Sequence, residues 1–212
     1  MDKERFLAFY EEAGYRVVDS FAYSDIKLFL MRNRPKITYR VLYGVIMLFI
    51  LLGIGLMIGG LWKQAGEVGQ FWLETGGSLI FALVGCALLI PVHEFIHWLV
   101  YRSEGAADVR FGAIWHSFAF YAAAHNFLAD YKTFKRIALA PLYLLSALLF
   151  LLLLFPMPLW GKVAVAFVLL FHLSSCSGDL MMLAYMSRYK HRRVFTVDDM
   201  DNQVTYFLEK QS

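Results

Sequence analysis

The sequence predicts an all-α membrane protein. Four transmembrane helices are expected, with a re-entrant β-hairpin between the second and third and both termini cytoplasmic. Three observations carry this. Of 212 residues, 59% are hydrophobic, with a mean hydropathy of +0.54, too apolar for a soluble domain of this length. Four apolar runs approach the roughly 20 residues that a spanning helix needs: 41–61, 78–101, 137–155 and 163–187. Basic residues alternate from one connection to the next in the way the positive-inside rule requires.

Residues 1–40 read as a cytoplasmic cap. It begins with a helix that puts Phe6, Phe9 and Tyr10 on one side and continues as irregular chain. Pro35 closes any local helix there. The N-terminus is mixed in charge and lacks an apolar core followed by a small-residue cleavage site, so no cleaved signal peptide is expected and the first span acts as the targeting signal. Arg32, Arg34, Lys36 and Arg40 precede that span, and its glycines, Gly55 and Gly59 among them, suit helix packing. Arg102, Arg110, Lys132, Lys135 and Arg136 lie between the second and third spans. Arg188, Lys190, Arg192 and Arg193 follow the fourth. The two remaining connections carry only Lys63 and Lys162, which places them outside. Residues 41–190 form the membrane domain, and 191–212 a polar tail in which "VFTVDD" reads as a short strand. The net charge of +3 is small and clusters beside the spans, which argues against a nucleic-acid surface. Both cysteines, Cys86 and Cys176, fall inside spans, so a structural disulfide is not expected.

The second span carries "PVHEFIHWLV". His93 and His97, four apart, share one helix face, with Glu94 beside them. In the H-E-x-x-H pattern two imidazoles hold Zn²⁺ and the glutamate takes a proton from the attacking water. A catalytic zinc usually has a third protein ligand. Depth suggests which. Glu94 and Asp179 are the only carboxylates inside the four runs, and each costs roughly 3 kcal/mol or more at the bilayer centre without a partner. At 1.5 Å per residue, His93 lies about 22 Å into its span and Asp179 about 24 Å into the fourth, which runs in the same direction. Asp179 is therefore the expected third ligand. Cys176, one turn away, is the alternative, and His172, two turns away, is a packing residue or one that steadies a ligand from behind. "SSCSG" before Asp179 weakens the helix, which helps aim the carboxylate and lets Ser175 offer a polar group to a substrate. Pro91 frees a carbonyl one turn earlier in its own span.

The connection "ADVRFGAIWHSFAFYAAAHNFL" is aromatic-rich and too short to span twice. Val109, Phe111, Ala113 and Trp115 alternate as in a strand, whose edge could receive an extended peptide, with Phe111 and Trp115 as contacts. An interfacial helix anchored by Trp115, Phe118 and Tyr121 is the equal alternative. His116 and His125 are polar loop residues that could orient a substrate.

"HEFIH", the aromatic loop, "FKRIALAPLYLLS" and "SGD" in the last span together resemble bacterial membrane proteins described as putative zincin peptidases, a domain-of-unknown-function family, and a compact relative of the site-2 proteases. The resemblance covers roughly residues 80–200. It implies zinc-dependent peptide hydrolysis in or beside the bacterial plasma membrane, with His93, His97 and Asp179 as ligands, Glu94 as base and a membrane protein or peptide as substrate. Site-2 proteases carry the aspartate in a longer "DG"-type motif, often near an asparagine. Here the order is Gly178–Asp179 with no asparagine before it in that span, which leaves Ser175 or a loop histidine to steady the transition state. Two other classes use the same residues: a metal or haem carrier without hydrolysis, and an inactive pseudoprotease that serves as adaptor or chaperone. The carrier is disfavoured because the first and third spans offer almost no polar groups.

Overall fold

The computed structural model describes residues 2–115 and 119–211, so His116 and Phe118 lie outside the described residues. The chain is mostly helical. Among the described residues, four helices are long and apolar enough to cross a membrane: α3 (Ile37–Ala65), α4 (Val68–Ser103), α5 (Tyr131–Leu154), and the pair α6 (Leu159–Ser175) and α7 (Ser177–Met186), which continues to Tyr189. Three contain their expected run and extend past it; α5 starts before its run of 137–155 and ends at Leu154, one residue short. Two compact units share these helices. One comprises Met1–Pro35, Glu94–Ala140 and Gly178–Ser212, the other Lys36–His93 and Pro141–Ser177.

Local chemistry sets the helix ends. At the end of α4, Gly105 takes φ +95°, the left-handed conformation that glycine adopts without strain. Its N–H donates to Arg102 O at 3.2 Å and that of Ala106 to Tyr101 O at 3.0 Å, the Schellman pattern of a helix stop. Asp130 caps α5 by accepting the Thr133 N–H on Oδ1 at 2.8 Å. Between α6 and α7 the helix breaks at Cys176, inside the weak "SSCSG" stretch.

The first unit also holds two sheets. The larger has the order β1 (Tyr15–Ala22), β6 (Val204–Lys210), β5 (Val194–Asp199), β4 (Ala129–Asp130), antiparallel throughout, and so joins the two ends of the chain. β5 is the expected "VFTVDD" strand, whereas β1 occupies the stretch expected to be irregular. The register shifts between Val17 and Asp19, and this irregularity breaks the two-residue alternation that marks a strand. Helix α1 (Lys3–Glu12) covers one face, packing Phe6 and Tyr10 on Val197, Tyr206 and Leu208. On the opposite face Phe207 meets Phe21, Tyr185 and Phe29 of the short helix α2 (Ile26–Arg32). β6 is buried on both sides, so its sequence shows no polar face.

The smaller sheet is a hairpin of β2 (Val109–Ile114) and β3 (Ala119–Ala124), which selects the strand over the interfacial helix. Gly112 pairs with Tyr121, whose ring lies where a Cβ would be: that atom would sit 2.3 Å from Tyr121 Cζ. Tyr23 packs edge-on against the same ring at 4.9 Å and limits its retreat. Gly112→Val is therefore expected to loosen the hairpin. Hydrogen exchange should speed up in β2 and β3 and stay unchanged in β1, β5 and β6; unchanged exchange in β2 and β3 would show that Tyr121 moves aside freely.

Asp198 in β5 offers a second test. Burial pushes its carboxyl up from 3.8 to about 6, although Thr205 Oγ1 donates to it at 2.6 Å. The folded state thus holds the proton more tightly than the unfolded state. The resulting stabilisation is complete below about pH 4 and lost as pH rises through about 6. At 1.36 kcal/mol per unit, reduced for the partial exposure of the residue, the change is on the order of 2 kcal/mol. Asp198→Asn, which keeps the acceptor for Thr205, should remove that part of the pH dependence of the melting temperature in detergent. Identical profiles for the two proteins would refute it.

Candidate metal centre

In the first unit, His97 projects from α4 and Asp179 from the first turn of α7. Their side chains meet with Nε2 3.5 Å from Asp179 Oδ2. The other ring nitrogen, Nδ1, lies 3.0 Å from the carbonyl oxygen of Ile137 on α5. A carbonyl only accepts, so Nδ1 carries the proton and donates it. In the neutral ring the Nε2 lone pair then faces a carboxylate. Two acceptors hold that position only with a second proton on His97 or a cation between them. The separation suits a cation. Two ligands about 2.05 Å from a tetrahedral zinc stand about 3.3 Å apart, whereas a good N–H···O contact closes to about 2.9 Å. The backbone carbonyl behind the imidazole is also the usual way to orient a metal-binding histidine. These residues fit zinc on their own geometry.

Glu94 lies on the same unit's part of α4, three residues before His97, and is half-buried. The proline at 91 sits within α4 without ending it.

His93 belongs to the second unit, one turn before His97 on the same helix face, and is buried. Its ring lies 5.8 Å from that of His172 on α6, and Cys176 Sγ is 3.7 Å from His172 Nε2. The three together form a group that could hold a metal ion.

A family model described as "Putative zincin peptidase" matches residues 86–194, just over half of the chain. The chain belongs to this family. The zincin-peptidase match spans His93, Glu94, His97, the hairpin, Ile137 and Asp179, and leaves out α1 to α3 and β6. No curated protein and no solved structure matches.

Phe111 is exposed on β2, and Trp115, just past its end, is also exposed and packs edge-on against Phe120 at 6.0 Å. Ser175 is exposed and donates its hydroxyl to His172 O at 2.8 Å on its own helix. His125 accepts the Met200 N–H on Nδ1 at 3.1 Å, which puts its proton on Nε2, towards Asp201 at 3.9 Å. The Met200 N–H thus takes the Nδ1 lone pair of a ring that, with Asp199 and Asp201, forms another group that could hold a metal ion. Two features were missed in the sequence. The Ile137 carbonyl is a backbone group with no sequence signal. The grouping of His172 and Cys176 with His93 was half-visible: their spacing of four puts the first two on one face of α6, and only the fold brings His93 to them.

Proposed function

We propose that this zincin-peptidase family member is a zinc-dependent, membrane-embedded endopeptidase of the site-2-protease type, cleaving peptide bonds in or near the bilayer on the cytoplasmic side of the bacterial plasma membrane. The observation that carries the reading is the His97 ring, held by Ile137 O and aimed at Asp179 across a zinc-sized gap. His93, His97 and Asp179 would hold the ion. Bound zinc supplies a Lewis acid that polarises a carbonyl and lowers the pKa of water towards about 7. Glu94 takes the proton from the attacking water and passes it to the leaving amine. Among the described residues β2 pairs only with β3, so its outer edge can receive an extended segment of substrate by strand addition, with Phe111 and Trp115 against its side chains. Ser175 would offer its hydroxyl oxygen to the substrate as an acceptor. The arginines and lysines beside α3, α4, α5 and the fourth span support cytoplasmic termini.

Zinc content tests the reading. In a Cys176→Ser background, which removes the thiol as a substitute ligand, the purified protein should hold about one zinc per chain. His97→Ala and Asp179→Ala should each lose it. Zinc retained in both would refute the centre.

A further inference from the structure

We propose that His93, His172 and Cys176 form a second position for a thiophilic metal ion, and that an ion there inhibits the peptidase by occupying His93. The inhibitory part rests on the peptidase reading; the metal position does not. All three residues lie in one compact unit. Exposure is 6% for His93, 0% for His172 and 1% for Cys176. Polar groups inside a spanning segment are costly to bury, and imidazole offers helix packing little that leucine does not. His172 and Cys176 are four apart near the end of α6, where the helix breaks. The sulfur lies 3.7 Å from Nε2 and 3.8 Å from Nδ1 of His172. A tetrahedral zinc with sulfur at about 2.3 Å and nitrogen at about 2.05 Å sets those ligands about 3.6 Å apart. The near-equal distances leave either ring nitrogen available as the ligand beside the sulfur. The ligand atoms of all three residues lie within 4.8 Å of one another.

The donor set differs in kind from His93, His97 and Asp179. It has a thiolate and no carboxylate, and so prefers zinc, cadmium or copper(I) to harder ions. On binding, the Cys176 thiol releases its proton to solvent and the sulfur bonds to the ion. Because His93 belongs to both sets, an ion held by Cys176 and His172 takes a ligand from the catalytic set. Excess thiophilic metal then slows hydrolysis without leaving the protein.

Cobalt(II) titrated into the metal-stripped full-length protein in detergent tests this, in a Cys86→Ser background so that Cys176 is the only thiol. A near-ultraviolet thiolate-to-cobalt charge-transfer band is expected. It should persist in Asp179→Ala, vanish in Cys176→Ser and weaken in His172→Ala. Absence of the band at any cobalt level, or its survival in Cys176→Ser, overturns the proposal. The two readings fail separately. Zinc in the Cys176→Ser protein that depends on His97 and Asp179, with no cobalt–thiolate band, leaves the peptidase centre and removes the second site. A band with zinc content indifferent to Asp179 does the reverse.

Discussion

Glu94→Gln is expected to cut peptide hydrolysis by about 10²–10⁴-fold while zinc content stays at the wild-type level. Glutamine keeps the volume and planarity of the side chain but cannot take a proton at neutral pH. The two parts of the result exclude different alternatives. A purely packing role for Glu94 would leave hydrolysis intact after so conservative a change. A ligand role would lower the zinc content together with the activity. Helix geometry favours neither, because Glu94 adjoins His93 and stands three residues before His97, beside their common face rather than between them. The measurement pairs metal analysis with mass spectrometry of new peptide termini, using reconstituted protein and a set of single-span membrane peptides. Wild-type cleavage by Glu94→Gln would remove Glu94 from the chemistry.

The elements that could be read in advance are those with one dominant period. The four runs of apolar residues are long enough to override local propensity, and α3 to α7 follow them. Val109, Phe111 and Ala113 alternate, and β2 is a strand. β1 was hidden because Val17 and Val18 are adjacent at a register shift, and β6 because Tyr206, Phe207 and Leu208 are all buried, with opposite faces in separate clusters. At the candidate centre, a counting argument along two spans paired Asp179 with the histidine motif, and the structure sets Asp179 3.5 Å from His97. Counting residues gives depth along a helix but not rotation about it. It therefore could not say that Ile137 would present its carbonyl to Nδ1, or that His172 would turn its ring to His93. Such contacts depend on tertiary packing between helices that the sequence separates by forty residues or more.

Removing the metal should lower the melting temperature substantially, by a route specific to two residues. Zinc that binds only the folded chain stabilises it by RT ln(1 + [Zn]/Kd), about 4 kcal/mol when free zinc is 1,000 times Kd. At 2–4 °C per kcal/mol for a chain of this size, the shift is on the order of 10 °C. The effect should be large because the ligands sit on separate elements. His97 is on α4 and Asp179 on α7, the segment beyond the break at Cys176, so an ion between them ties two separate helices together. Without the ion, a carboxylate and an imidazole share that position in a membrane-like setting, where an uncompensated charge is costly. The Cys176→Ser protein should thus melt lower after chelation and recover when zinc returns, while the same protein with Asp179→Ala should melt alike with and without zinc. A zinc-independent melt in the first protein would mean that His97 and Asp179 are an ordinary ion pair. A zinc response that survives Asp179→Ala would place the ion on other residues.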